Sequence, residues 1–162
     1  MDTRKPAVAG QFYGGTNQQC LEELRQCLSE CVINKVLPNQ IVAGIVPHAG
    51  WVFSGKLAAE VFMAIKRVNE TVDTFIIFGA AHRSLPDSAA VYDSGAWKTP
   101  LGDIAIDEDI AKKILLLPNT VADKHSHRNE HSIEVQVPFI QYLFSKAKIV
   151  PVMVPPGQFT VN

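Results

Sequence analysis

Residues 41–82, IVAGIVPHAGWVFSGKLAAEVFMAIKRVNETVDTFIIFGAAH, indicate the fold of this chain. The runs at 41–46 and 74–78 are short, apolar and rich in β-branched and aromatic residues, which is typical of strands buried on both faces. Between them, residues 54–68 repeat apolar side chains at helical spacing, with Ser54 as the expected N-cap. The order strand, helix, strand predicts a β-α-β unit with parallel strands.

The same kind of pattern continues towards the C-terminus. Residues 148–154 form a third apolar run, and helical spacing recurs at 107–117 and at 132–145. Asp107 is the expected N-cap of the first of these helices. Pro138 either kinks the second helix or marks the point where it begins.

Residues 89–106 alternate apolar and polar side chains and contain two turn signals, so we expect an antiparallel excursion from the main sheet. The predicted fold class is α/β. We expect the strands at 41–46, 74–78 and 148–154 to form one mainly parallel sheet with helices on both faces. Residues 1–162 are expected to form a single domain.

The composition excludes several classes of function. Fifteen basic and sixteen acidic side chains leave a formal charge of -1, with no run of like charges, which argues against a nucleic-acid groove or an anionic membrane surface as a partner. The sequence lacks a membrane-spanning run and the apolar core of a signal peptide, so a cytoplasmic location is expected. It also lacks the glycine-rich motifs that cradle nucleotide phosphates.

Three cysteines lie close together in residues 18–33. Cys20, Cys27 and Cys31 fall on one face of a predicted helix and are not spaced as C-x-x-C. We expect them to be buried core residues, because a reduced cysteine packs as a small hydrophobic side chain.

Two histidines follow two strands of the predicted β-α-β unit. His48 comes after the run at 41–46, and His82 comes after the run at 74–78. Because parallel strands present their carboxyl ends at one edge of a sheet, both imidazoles are expected at the same crevice. As a pair they form a candidate site for Fe(II), Zn²⁺ or Mn²⁺, whereas a single histidine after a strand is more often a loop residue that bonds a neighbouring carbonyl.

A second cluster lies within KHSHRNEHSIE, residues 124–134. Glu130 and His131 precede a predicted helix with Ser132 as its N-cap, and they could serve as general acid and base if the pKa of the glutamate were raised towards neutrality. The alternative is a solvated loop, which is the expected environment of His125 and His127.

Five blocks of the chain resemble the Memo family, the protein B component of the AmmeMemoRadiSam set. They are spread in the family's order along nearly the whole chain: PAVAGQFY at 6–13, PHAGWVFSG at 47–55, GAAH at 79–82, TPLGDIAID at 99–107 and EHSIEVQVPFIQ at 130–141.

This resemblance implies a fold shared with class III extradiol ring-cleaving dioxygenases, which hold non-haem Fe(II) by two histidines and a carboxylate. His48 and His82 match the family's first two metal-pocket histidines, and His131 matches a cleft residue to which we assign a catalytic role. The implied partner is a small, aromatic substrate. A non-catalytic adaptor that binds a phosphoprotein or peptide is the alternative that the resemblance also permits.

The chain departs from the family in length. It stops at Asn162, and the family's later Ser-Asp-x-x-His block and pocket cysteine have no counterpart in it. Relative to the family it is expected to be truncated at the C-terminus, or to have the remainder supplied elsewhere. We therefore expect weak or no metal occupancy in this chain alone, and uncovered apolar surface that promotes self-association.

Overall fold

The computed structural model describes residues 2–29, 31–33, 36–83 and 86–155 and has an α/β fold with two mixed sheets. The predicted fold class is therefore confirmed. The elements are β1 (Thr3–Arg4), α1 (Asn17–Ser29), α2 (Trp51–Val68), β2 (Thr74–Ala80), β3 (Ala89–Val91), β4 (Ala96–Thr99), β5 (Gly102–Ala105), α3 (Glu108–Ile114), β6 (Thr120–Ala122), a 3₁₀ turn (Glu134–Gln136), α4 (Val137–Leu143) and β7 (Lys148–Val154).

The larger sheet has the strand order β2-β7-β3-β6, and the smaller one has the order β1-β4-β5. The predicted strands at 74–78 and 148–154 are confirmed as parallel neighbours, because β2 pairs with β7 along its whole length. The predicted antiparallel excursion is confirmed for the hairpin of β4 and β5, whereas β3 joins the larger sheet, antiparallel to β7 and parallel to β6.

The strand predicted at 41–46 is wrong, because these residues form no regular secondary structure. Val42 and Ile45 are almost fully exposed, and no backbone hydrogen bond joins residues 42–46 to another described residue. An apolar run becomes a strand only when a neighbouring backbone pairs with it, and in the described structure that neighbour is missing.

Helix α2 begins four residues earlier than the predicted N-cap implies. Its N-cap is Gly50, and Ser54 lies inside the first turn, where its hydroxyl donates to the carbonyl of Ala49 at 3.0 Å. The amide of Trp51 donates to the carbonyl of Phe12 at 2.7 Å, so a tertiary contact places the helix start upstream of the side-chain cap.

The two later helices are shorter than predicted. Asp107 is confirmed as the N-cap of α3, since its carboxylate accepts from the amide of Ile110 at 3.1 Å. Pro138 lies in the first turn of α4 and so marks a start, not a kink. Ser132 does not cap this region as predicted, because its hydroxyl donates to the carbonyl of Ala80 at 3.0 Å.

Aromatic side chains pack α2 and α4 against one face of β2. Phe62 of α2 stacks on Phe139 of α4 at 5.5 Å, and Phe75 of β2 meets the ring of Phe144 at 5.0 Å. This packing fixes α2 against β2. The candidate site lies where α2 begins and β2 ends, at the carboxyl end of β2. None of the helices in the described ranges has the length and apolar composition needed to cross a bilayer.

The cysteines only partly match the prediction of a buried helix face. Cys20 of α1 is fully buried, but Cys27 is partly buried. Cys31 is also partly buried and lies beyond the end of α1 at Ser29. The helix ends before the last residue of the apolar pattern that predicted it, so Cys31 does not lie on the helix face.

Candidate metal centre

Three histidines from separate parts of the chain meet at this edge of the sheet. His48 precedes α2, His82 follows β2 by two residues, and His131 lies in the loop before the 3₁₀ turn. The ring centroids of His48 and His82 are 5.1 Å apart, and those of His82 and His131 are 4.6 Å apart. The predicted meeting of the first two imidazoles is therefore present, and the third ring joins them.

The three side chains are placed so that they could hold one metal ion. Each ring offers one nitrogen, and these nitrogens lie within 4.8 Å of one another. Nitrogens bound to one ion at about 2.0–2.2 Å lie at most about 4.4 Å apart, so the three nitrogens are separated by distances of the order that one shared ion needs. An all-imidazole donor set of this kind suits iron, zinc or copper.

The buried carboxylate of Glu130 orients two of these rings. Its Oε1 atom lies 2.9 Å from Nδ1 of His82 and 3.2 Å from Nδ1 of His131, and its side chain is only 2% exposed. When His82 donates its Nδ1 proton to this carboxylate, its Nε2 atom is left unprotonated and available to an ion.

Glu130 is an ionised hydrogen-bond acceptor, so the condition under which it could act as a general acid, a pKa raised towards neutrality, is not met. Burial by itself acts to raise the pKa of Glu130, but hydrogen bonds from His82, Ser132 and His131 lower the pKa to about 2. The backbone amide of His82 contributes one of these bonds, at 2.7 Å. Backbone donors of this kind favour the charged carboxylate more strongly than burial opposes it.

Burial lowers the pKa of His131, and the carboxylate of Glu130 opposes that effect. The neutral ring that results has an unprotonated nitrogen, which is the form that either a metal ligand or a general base requires. The ring packs edge-on against Phe12, with centroids 4.9 Å apart.

A buried arginine holds the loop that carries Glu130 and His131. The guanidinium of Arg4 donates to the carbonyls of His127 and Glu130, at 2.7 and 2.6 Å, and forms an ion pair with Glu134 at 2.7 Å. Nothing in the sequence had pointed to this anchor. A charged side chain in a two-residue strand near the N-terminus carries no pattern that points to a loop more than 120 residues away.

The other two histidines of the 124–134 cluster lie outside the site. His125 is exposed, in keeping with the solvated loop expected for it. His127 is fully buried, so the solvated loop expected for it is wrong: its Nε2 atom lies 2.9 Å from the carbonyl oxygen of Ala90. Its ring packs edge-on against Tyr92 and Trp97, with centroids 5.7 Å apart in each pair.

A cleft of about 640 Å³ opens beside the histidines. Its wall is largely apolar and includes Phe12, Pro47, Val52 and Phe53, together with His48 and His131. A volume of this size admits a small organic molecule, and the apolar wall favours an uncharged or aromatic ring.

Comparisons with known proteins point to one family. The family model described as "Memo-like protein" matches residues 4–161. A MEMO1 family protein of Pyrococcus abyssi is 46% identical over 156 residues, which cover 92% of this chain and 52% of that protein. A MEMO1 family protein of Caldivirga maquilingensis is 40% identical over 161 residues, which cover 94% of this chain and 56% of that protein.

The chain spans about half the length of the curated relatives that it matches. The family model nevertheless extends over almost all of the chain, and it includes all three histidines and Glu130. The chain belongs to the Memo family.

Proposed function

We propose that this protein binds non-haem Fe(II) and acts as an oxidoreductase of the ring-cleaving dioxygenase type. The observation that carries the proposal is the meeting of three imidazoles whose nitrogens lie within 4.8 Å of one another. Fe(II) accepts imidazole ligands, and when bound it would supply the site for oxygen and a hydroxylated aromatic ring. The assignment of iron and of this reaction class rests on the family's likeness to extradiol dioxygenases.

In this proposal His48 and His82 hold the ion, and His131 moves a proton. Glu130 keeps His82 in the tautomer whose Nε2 atom can bind, because it accepts the Nδ1 proton. His131, with its lowered pKa, is the neutral base next to the cleft. Its nitrogen also lies near enough to the other two to serve as a third ligand.

The apolar wall of the cleft supports a small aromatic substrate. Phe12, Val52 and Phe53 line the space beside His48 and His131, and no lysine or arginine appears among the described residues that line it. A planar ring can pack there while its hydroxyl groups turn towards the imidazoles.

The first test measures Fe(II) binding to anaerobically purified protein by titration and elemental analysis. We expect His48→Ala and His82→Ala to weaken binding strongly, because each removes a direct bond to the ion. His125→Ala is the matched control, since this histidine is exposed and outside the site. Unchanged binding in both His48→Ala and His82→Ala would overturn the metal assignment.

The second test measures oxygen uptake with catechol-type substrates on the iron-loaded protein. His131→Ala separates the two roles of that residue: loss of turnover with retained iron affinity indicates proton transfer, whereas loss of affinity indicates a third ligand. Stoichiometric iron without any turnover across the substrate series would contradict the dioxygenase proposal and favour a binding or adaptor protein.

A further inference from the structure

His48 is held differently from the other two imidazoles of the candidate metal centre. The carboxylate of Glu130 lies against the rings of both His82 and His131. The His48 ring has ring contacts, with centroids 5.1 Å from His82 and 5.8 Å from His131. Within the described part of the chain, neither of its nitrogens has a hydrogen-bond partner. The place of His48 in the centre therefore depends on how its backbone is held.

The chain is firmly held on the C-terminal side of His48. The amide of Trp51 donates to the carbonyl of Phe12 at 2.7 Å. The indole Nε1 of Trp51 donates to the carbonyl of Val135, in the 3₁₀ turn, at 2.9 Å. These two bonds fix the start of α2 at Trp51 and so limit the movement of His48 from that side.

On the N-terminal side of His48, a single side chain supplies the hold. Residues 42–46 form no backbone hydrogen bond with another described residue. The Nε2 atom of Gln136 donates to the carbonyl of Pro47, next to His48, at 2.8 Å. Because a carbonyl can only accept, this contact also fixes which end of the Gln136 amide faces Pro47. Among the described residues, this is the one hydrogen bond to the main chain between residue 42 and His48.

Gln136 is buried with only one end of its amide paired. The residue is 2% exposed, and its Oε1 atom has no hydrogen-bond partner among the described residues. A buried amide with an unpaired oxygen costs more free energy than an apolar side chain of the same size. Packing alone therefore does not account for a glutamine here, and what the amide provides is the hydrogen bond to Pro47.

We propose that Gln136 is a positioning residue of the candidate metal centre, because it holds Pro47 and thereby the imidazole of His48. Gln136 ends the 3₁₀ turn that follows His131, so one segment of the chain carries one imidazole and fixes another. Small movements matter here, since the groups of such a site must be held within about 0.5 Å of their working positions. The effect of Gln136 on metal affinity rests on the proposed function, whereas its effect on the position of His48 does not.

Gln136→Met tests this role in the metal-free protein. Methionine is of similar size but has no donor, and it also removes the unpaired Oε1 atom, so the unfolding temperature should change little. By ¹⁵N relaxation, the backbone amide of His48 should have an order parameter of about 0.85 in the unaltered protein and below about 0.6 in the variant. The amides of His82 and His131 should keep their values, because Glu130 accepts from both. A general loss of stability would not produce this selective change.

Titration with Fe(II) measures the consequence for the centre. Gln136→Met should weaken Fe(II) binding by roughly 10-fold, as is typical when a supporting hydrogen bond is lost and the ligand itself remains. Gln141→Met is the matched control. Gln141 donates to the carbonyl of Gly102 at 3.0 Å, so this change also removes a bond from a glutamine to a carbonyl, in a pair that includes no residue of the centre. It should leave both the order parameter of His48 and the Fe(II) affinity unchanged.

An unchanged order parameter of His48 in Gln136→Met would overturn the proposal, whether or not the unaltered protein binds Fe(II). A more mobile His48 with unchanged Fe(II) affinity would overturn it as well, because the position of the ring would then not matter for binding. Absence of Fe(II) binding in the unaltered protein would instead contradict the proposed function, and the relaxation measurement would still decide the role of Gln136.

If Gln136→Met fails to fold, the unaltered protein provides the test. The Nε2 protons of Gln136 should exchange with solvent much more slowly than those of Gln18, whose side chain is exposed. Slow exchange together with a rigid His48 amide supports the proposal. Equal exchange rates for the two glutamines, or an order parameter of His48 below about 0.6, would overturn it.

Discussion

The carboxylate of Glu130 binds both the backbone and the ring of His82. Oε2 accepts the backbone amide of His82 at 2.7 Å, and Oε1 lies 2.9 Å from the Nδ1 atom of the same residue. The carboxylate thus fixes the position and the orientation of the imidazole at once. It is a positioning residue, because it touches the candidate metal centre only through the histidines.

Glu130→Gln is expected to change the tautomer of His82. In the metal-free protein the ring should be protonated at Nδ1, and the substitution should produce a mixture with the Nε2-protonated form, because a neutral amide accepts that proton less strongly. Long-range ¹H–¹⁵N correlation spectra of the histidine rings measure this directly. Loss of such a partner also typically weakens metal binding by about 10- to 100-fold.

Glu134→Gln is the matched control for this prediction. Glu134 is also a buried carboxylate, but it bonds to Arg4, Tyr13 and backbone amides and not to an imidazole. The substitution Glu134→Gln should lower the unfolding temperature and leave the tautomer of His82 unchanged. A His82 ring protonated mainly at Nε2 in the unaltered protein would contradict the positioning role of Glu130.

Breaking the ion pair of Arg4 and Glu134 should strongly destabilise the fold. The two side chains are 4% and 1% exposed, so removal of either one leaves the other charge buried without its partner. Arg4→Met is expected to lower the free energy of unfolding by about 3–5 kcal/mol, measured by urea denaturation.

The double variant Arg4→Met with Glu134→Gln should cost less than the sum of the single variants, because it leaves no unpaired charge. Lys112→Met is the surface comparison, since the pair of Lys112 with Asp109 is largely exposed, and no measurable change is expected. Additive losses in the double variant would show that Arg4 and Glu134 act independently.

Stability should fall on acidification because of His127. Burial lowers the pKa of His127 to about 4, although the hydrogen bond to Ala90 opposes this effect. The unfolded chain takes up the proton near pH 6.5 while the folded protein resists it. The stabilisation is therefore complete above pH 6.5 and is lost as the pH falls towards 4, by roughly 3 kcal/mol.

Urea denaturation at a series of pH values from 7.5 to 4 measures this loss. His127→Gln keeps a donor towards the carbonyl of Ala90 but cannot titrate, so its stability should depend less on pH across that window. His125→Gln, a change at an exposed site, should follow the unaltered protein. An unchanged pH dependence in His127→Gln would place the acid sensitivity at other groups.

The three thiols should react at different rates. Cys20 is fully buried, and burial, supported by the nearby charge of Glu23, raises the pKa of its thiol to about 12. Cys27 and Cys31 are only partly buried. Labelling of the folded protein with a thiol reagent, followed by mass spectrometry, should modify Cys27 and Cys31 first, since the reactive form is the exposed thiolate.

Labelling in urea provides the reference in which all three cysteines should react alike. If Cys20 reacted as fast as the other two in the folded protein, the packing of α1 against the core would be looser than the structure indicates.

The sequence by itself determined those strands and helix ends that depend on interactions between residues close together in the chain. The apolar runs that became β2 and β7 and the carboxylate cap at Asp107 could be recognised because strand composition and capping act over a few residues. His48 and His82 meet at one end of the larger sheet as predicted, but the predicted reason holds only for His82, which follows β2, because residues 41–46 before His48 form no strand.

The tertiary structure alone decided the rest. Residues 41–46 have the composition of a strand but lack a partner, and pairing depends on a backbone that no local pattern specifies. His131 and Glu130 reach the site because Arg4 holds their loop from a position 126 residues away from Glu130. A contact over that separation leaves no periodic trace in the sequence, because it forms only when the fold brings the two segments together and hydrogen bonds offset the cost of burying the guanidinium charge.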